Sequence, residues 1–493
     1  MSIVAELEAT GEVLSPAVRV AILTLEAQVA ALQAEVAELR ARLAQHSGNS
    51  SRPPSSDPPS APARPAPKPR GGRRGGQKGH KGHHRSRVAP ERVDHTLPPH
   101  RPASCRRCGH DLSGAPVVGE PVVHQVAELP GVRALITEHQ LLQVCCPHCR
   151  THTRAQLPAG VGSSHFGPRL SAFAALLVGR FRLSRRETCA LLRDLMDVPP
   201  SLGSVQERVE ETSRALLPAY REVRGAVRSS TAAHVDETGW RLRTQRRWVW
   251  AAVTAGATLF RLGRRGSPDA RLLLGRDYQG IVGSDRWGAY RQYPPEQRQL
   301  CWAHLRRDFQ GLSEREGEVA RLGRWGSAEC GRLFGLWGRF KDGQITRTQM
   351  ARSLVPVRWR LKRLLKRGLE LEGKARALCR DLLKLWPALW TWVHREDVEP
   401  TNNVAERALR KPVLWRKGSF GSNSGRGLRF VERILTVGET CRQQKRGMLD
   451  YLTRAIEAHR AGSPAPLLLP THRTLTLEVV PVSRLPKHVS NLR

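Results

Sequence analysis

Three short acidic stretches hold the residues best suited to chemistry in this chain: His234-Val235-Asp236-Glu237-Thr238-Gly239-Trp240, Gly283-Ser284-Asp285-Arg286 and Asn402-Asn403-Val404-Ala405-Glu406-Arg407. Carboxylates are scarce against a formal net charge of +37, so an acid that closes an apolar run stands out. Carboxylates held close together repel, and protonation or a bound cation relieves that repulsion. Two Mg²⁺ (or Mn²⁺) ions would keep Asp236, Asp285 and Glu406 ionised and would serve phosphodiester chemistry. One ion would activate an attacking water or 3′-hydroxyl, and the other would stabilise the leaving oxygen. A strand-end Asp taken singly is more often a turn cap than a metal ligand, so spacing alone does not decide.

Periodicity indicates the elements that would position these acids. Residues 231–235 lead as a strand into Asp236, and 279–283 lead into Asp285. Between them, 247–254 is rich in aromatic and β-branched residues, 258–262 alternates, and a short helix spans 269–274 after Pro268. That order of strands and helix is the order of an RNase H-like sheet, a mixed α/β core. Glu406 falls on a helix with Thr401 or Asn402 as N-cap. Glu237 points to the opposite strand face from Asp236 and is the weaker ligand. Residues 299–304 read as a further strand, with His304 and Arg306 at its end near the acids, where they could contact a phosphate. Arg407 and Arg410 flank Glu406, and Arg410 shares its helix face, placed to pair with it or to meet a phosphate. The long gap between Asp285 and Glu406 reads as a helical insertion over about 306–400, with Trp386, Trp390 and Trp392 as core.

Length and 40% hydrophobic content support more than one domain. A pI near 11.2 with 81 Lys and Arg points to a polyanionic partner, nucleic acid first. The start MSIVAELEAT lacks a basic signal-peptide n-region, and the longest apolar run, Leu170 to Gly179, is too short to cross a membrane. The expectation is a cytoplasmic protein without a membrane partner. Ten irregularly placed cysteines fit a reducing compartment.

Taken in order, residues 1–46 contain a helix from Pro16 in which Val18, Ile22, Leu25, Val29, Leu32, Val36, Leu39 and Leu43 alternate by fours and threes. β-Branched residues dominate one seam position and Leu the other, as a parallel two-stranded coiled coil prefers; the plain alternative is a helix packed on its own domain. Residues 47–92 form a Pro- and Gly-rich linker, disordered when unbound, whose Arg73, Arg74, Lys78 and Lys81 can track phosphates. Residues 93–153 carry Cys105-Arg-Arg-Cys108 and, after a strand-like interval, Cys146-Pro-His-Cys149, four thiolates spaced for a structural Zn²⁺. Cys145, beside the second knuckle, leaves the choice of ligand open, and His110 and His148 are weaker candidates. Residues 154–228 are helical, either a helix-turn-helix or a plain packed hairpin. The catalytic region spans 229–430, and 431–493 is a helix and tail.

The stretches HVDETGWR, GSDRWGAY, CWAHLRRDF and TNNVAERALR, followed by Arg416-Lys417-Gly418-Ser419-Phe420-Gly421-Ser422, resemble in order the catalytic core of the insertion sequence 66 family of DDE transposases. The resemblance implies an RNase H-like fold with Asp236, Asp285 and Glu406 as catalytic triad, and a zinc-binding domain at the cysteine motifs. It implies binding to element ends and target DNA as a dimer or larger assembly in a bacterial cytoplasm, sometimes with accessory element-encoded proteins. Two other readings remain open. One is a non-catalytic DNA-binding regulator or transposase relic; the other is a nuclease or resolvase that cleaves without strand transfer.

Overall fold

The computed structural model describes residue 4 and residues 15–43, 87–158, 161 and 164–470. Arg73, Arg74, Lys78 and Lys81, most of the expected linker and the tail beyond 470 lie outside the described residues. The chain divides into two units, 63–133 and the remainder, and each is described by itself.

In the first unit the Cys105–Cys108 knuckle is a tight turn. Cys105 N–H donates to His110 O (2.8 Å), Gly109 N–H donates to Cys105 O (2.8 Å), and Gly109 takes a φ of 74°. The second unit repeats the pattern. Cys146 N–H donates to Thr151 O (2.9 Å), Arg150 N–H donates to Cys146 O (2.9 Å), and Arg150 has a φ of 60°. This turn closes the short ribbon of β1 (Gln143–Cys145) and β2 (His152–Arg154). Cys146 and Cys149 therefore occupy the places of Cys105 and Cys108, while Cys145 ends a strand and its thiol faces Arg150 O. The interval 113–142 contains no regular strand, contrary to expectation.

The N-terminal helix α1 (Pro16–Leu43) exposes Val18, Leu25, Val29, Leu32, Val36, Leu39 and Leu43. Its window Pro16–Ala37 is long and apolar enough, by length and composition, to cross a membrane. Arg19, Glu26 and Glu35 interrupt this window, so it does not show as an uninterrupted apolar run in the sequence. Four helices follow: α2 (Pro168–Gly179), α3 (Arg185–Met196), α4 (Leu202–Ala215) and α5 (Leu217–Arg228). A Ser184–Glu187 capping box starts α3. Helix α4 buries Val205, Val209 and Thr212, and its acids are spent in ion pairs, Glu211 with Arg208 and Arg460 and Glu210 with Arg426.

A five-stranded mixed sheet forms the centre: β3 (Ala232–Leu242), β4 (Gln245–Val253), β5 (Thr258–Gly263), β6 (Ile281–Ser284) and β7 (Arg298–Leu300), with α6 (Ser267–Leu274) between β5 and β6. The spatial order is β5-β4-β3-β6-β7, antiparallel across the first three strands and parallel across the last three. Strand β3 does not end at Asp236. It continues as a hairpin with β4, because Thr238, Gly239 and Trp240 pair with Val249, Trp248 and Arg247. The apparent stop in the sequence is a change of neighbours: β6 ends at Ser284, so β3 loses its partner on that side.

Both sheet edges are covered. The free N–H groups of Thr258, Phe260 and Leu262 on β5 donate to Thr440 Oγ1 (3.2 Å), Thr436 Oγ1 (2.9 Å) and Glu432 Oε1 (2.7 Å) of a single helix, Gly425–Gln443. Steps of two residues in a strand and four in a helix advance by similar lengths, about 6–7 Å, so one helix serves three donors. Leaving a buried donor unmet would cost about 1–3 kcal/mol. At the other edge, Gln299 Oε1 accepts from Trp392 N–H (2.9 Å) and Thr391 Oγ1 donates to Arg298 O (2.6 Å).

Residues 302–394 form a helical insertion: α7 (Trp302–Ser313), α8 (Gly317–Lys341), α9 (Arg347–Arg367), α10 (Gly373–Lys384) and α11 (Thr391–His394). They enclose a second hydrophobic core in which Trp302, Trp390 and Trp392 are buried and Trp386 packs at its margin, as expected. The remaining helices are α12 (Asn403–Ser419), α13 (Gly425–Gln443) and α14 (Met448–Arg460).

Candidate active site

The register of the central strands brings the first two acids level. In the parallel pair β3/β6, His234 stands opposite Gly283; two residues further on come Asp236, within β3, and Asp285, one residue past the end of β6. Gly283 permits this approach, since a Cβ there would lie 2.5 Å from His234 Nδ1. Burial lowers the His234 imidazole to about 4, so it is neutral around pH 7.

Helix α12 brings the third acid. Asn402 does not cap it with a side-chain hydrogen bond, as the sequence suggested. Its Nδ2 instead donates to Val235 O (2.7 Å), and its backbone N–H points to Cys301 Sγ (3.1 Å). At the far end Arg416 donates to Gly239 O. Two clamps on β3 therefore straddle Asp236, and Glu406 sits on the helix between them. Their convergence shows in the electrostatics. Burial is the largest cause raising Asp236 well above the usual carboxylate range, and the charges of Glu237, Asp285 and Glu406 raise it further. Asp285 is also raised by burial, opposed by the Trp287 N–H and by Arg298, Arg265 and Arg286.

Asp285 Oδ1 accepts from Trp287 N–H (2.9 Å), the Asx-turn bond of the plain alternative. It uses one oxygen, however, and among the described residues neither Asp236 nor Asp285 forms an ion pair. Glu237 is committed elsewhere. It is buried, accepts from Arg265 (3.1 Å) and from Tyr290 Oη (3.0 Å), and Arg265 lies between the rings of Trp248 and Trp287.

His304 is in the first turn of α7, not at the end of a strand: β7 stops at Leu300 and Cys301 begins the helix. That geometry aims His304 and Arg307, one helical turn apart, at Glu406, with Nδ1 and Nη2 each 3.7 Å from Oε1. Burial, then the Arg307 and Arg286 charges, lower His304 to about 4. His304 Nδ1 and Glu406 Oε1 are buried atoms without a hydrogen-bond partner among the described residues. Cys301, His304 and Glu406 offer ligand atoms within 4.8 Å of one another. Arg306, Arg407 and Arg410 are exposed, and the Arg410–Glu406 pair anticipated from spacing is not formed.

Sequence reasoning missed Arg298. It is fully buried in β7, donates to Asp285 O (3.0 Å) and Ser284 Oγ (3.3 Å), and supplies the largest opposing charge to Asp285. An arginine between polar residues in a short strand gives no pattern that would reveal it.

Asp236 and Asp285, without ion-pair partners among the described residues, and Glu406, whose Oε1 accepts no hydrogen bond and lies 3.7 Å from Arg307, form a hard donor set that suits Mg²⁺ or Mn²⁺. Residues 164–429 match the family described as Transposase IS66 family, and residues 3–86 match a family of unknown function (DUF6444). The chain is similar to two proteins of Sinorhizobium fredii, both described as uncharacterized. It is 24% identical to y4hP over 398 residues, 72% of this chain and 70% of that one. It is 26% identical to y4qI over 268 residues, 45% of this chain and 46% of that one. With more than half its length in the family match, covering all three acids, the chain belongs to the IS66 family of transposases.

Proposed function

We propose that the chain is a DDE transposase that binds the terminal inverted repeats of an insertion sequence, frees a 3′-hydroxyl by hydrolysis and joins it to target DNA. The observation that carries this reading is the pair of clamps from α12 to β3, Asn402 to Val235 O and Arg416 to Gly239 O, which bracket Asp236 and lay the helix of Glu406 across it. The strand order, with its antiparallel and parallel halves, supports an RNase H-like core and with it the same reading. Asp236, Asp285 and Glu406 would hold two Mg²⁺ or Mn²⁺ ions, which supply an activated oxygen nucleophile and stabilisation of the leaving oxygen. The chain's own contribution is placement. Asn402 and Arg416 fix α12 on β3, and Arg298 holds the backbone after β6. Arg307 stands beside Glu406, where it would meet a phosphate. Neutral His304 limits the positive charge facing the ions. Arg306, Arg407 and Arg410, exposed nearby, are further phosphate contacts in this reading.

Incubation with DNA carrying the gene's flanking inverted repeats, a target plasmid and Mg²⁺ tests it. Joined products are expected; cleavage alone would indicate a nuclease or resolvase, and binding without cleavage a relic.

The exposed heptad stripe of α1 supports a dimer, and the matching knuckles at Cys105/Cys108 and Cys146/Cys149 support a structural zinc. Hydrogen bonds lower the Cys105 thiol and bring Cys149 to about 7, chiefly through Thr151, and so favour thiolates. Native mass spectrometry should show a dimer with one zinc per chain; a zinc-free monomer would contradict both assignments.

A further inference from the structure

Beside the acids, two adjoining cavities of about 380 and 420 Å³ share Arg291, Arg380 and Asp381. Their inner end is Arg286, the residue after Asp285, whose charge reaches both Asp285 and His304. The outer wall is helix α10, where Lys374, Ala377, Leu378, Asp381 and Lys384 fall on one face at helical spacing. The lining holds five cations against two carboxylates. Arg286 donates to Asp308 (3.0 Å) and Asp381 (2.7 Å), and Arg291 lies 3.6 Å from Asp381, so these two cations balance the two carboxylates. Lys374, Arg380 and Lys384 are exposed and make no ion pair or hydrogen bond among the described residues. The buried hydroxyl of Tyr293, on the wall of the second cavity, also has no partner.

We propose that this groove binds a single strand of DNA, taking the backbone phosphates that flank the bond held at Asp285. Unpaired cations in a row beside a carboxylate centre suit a polyanion, and the orphaned Tyr293 hydroxyl supplies a donor. Cavities of this volume fit ligands the size of a nucleotide or two and exclude a duplex. The proposal rests on the transposase reading and adds the path of the strand, through the insertion instead of across the sheet.

The test is binding of a fluorescent oligothymidylate, and of a mixed-sequence duplex of equal length, to the full chain and to Lys374→Ala/Arg380→Ala/Lys384→Ala. Alanine preserves the helix, and none of the three side chains packs in the core. Single-strand affinity should fall about tenfold or more, with the salt slope shallower by about 2, because single strands contribute roughly 0.7 per phosphate contact. Duplex affinity should change by less than about threefold. Wild-type single-strand affinity and slope in the variant would overturn the proposal, and so would equal losses for both probes. Asp285→Asn separates the two readings. Groove binding that persists in wild type and Asp285→Asn, in a chain that never cleaves DNA, would sink the transposase reading and leave the groove. Normal joining by wild type with unaltered strand binding in the triple variant would sink the groove alone.

Discussion

Asp285→Asn should reduce cleavage and joining by about 1,000-fold or more while leaving binding to element-end DNA within about twofold of wild type. The magnitude follows from losing several kcal/mol of metal-supplied charge stabilisation, at roughly 1.4 kcal/mol per tenfold in rate. Binding should survive because asparagine keeps the Oδ1 that accepts from Trp287 N–H, and Arg298 still holds the Asp285 carbonyl. Filter binding and product gels on the same preparation make the comparison. A proportional loss of binding and chemistry would assign Asp285 a structural role.

The second large effect is on stability. Without metal, folded Asp236 keeps its proton above the ordinary carboxylate range, whereas the unfolded chain releases it near 3.8. Folding therefore takes up a proton between that value and the raised one, and stability falls as pH rises through the window. A divalent ion replaces the proton and reverses the penalty. His234 and His304, lowered to about 4 in the folded chain, contribute with the opposite sign, so the comparison is with Asp236→Asn, which keeps both. In magnesium-free buffer the melting temperature of wild type relative to that variant should fall as pH rises, and Mg²⁺ should restore it most at the alkaline end. At a hundredfold excess over its dissociation constant the ion contributes about 2.7 kcal/mol, which is a rise of several degrees. Asp236→Asn should melt higher than wild type without metal and respond little to Mg²⁺. An undiminished magnesium shift in that variant would remove Asp236 from the metal site.

Much of the site could be read from the sequence because strands advertise themselves by alternation, and each of the first two acids follows such a run. Glu406 was legible only within its longer motif, since one acid on a polar helix has no signature of its own. Positions set by tertiary contacts were hidden. Asn402 has the residue type and place of a cap, yet the nearby Val235 carbonyl claims its side chain. Cys301 to His304 is too short an apolar run to distinguish strand from helix, and it proved to be a helix start. Strand β3 seemed to stop at the polar Glu237-Thr238-Gly239 because the hairpin partner that carries it to Leu242 lies further along the chain. The spent acids of α4 likewise gain their meaning from Arg426 and Arg460, more than two hundred residues away.

The central claim is that two strand residues and one from a distant helix share divalent metal. Calorimetric titration with Mn²⁺ of wild type and Glu406→Gln tests it most directly, because Glu406 comes from outside the sheet. Binding to wild type, weakened about tenfold or more in the variant, is the predicted result; Mn²⁺ bound equally well by both would contradict it.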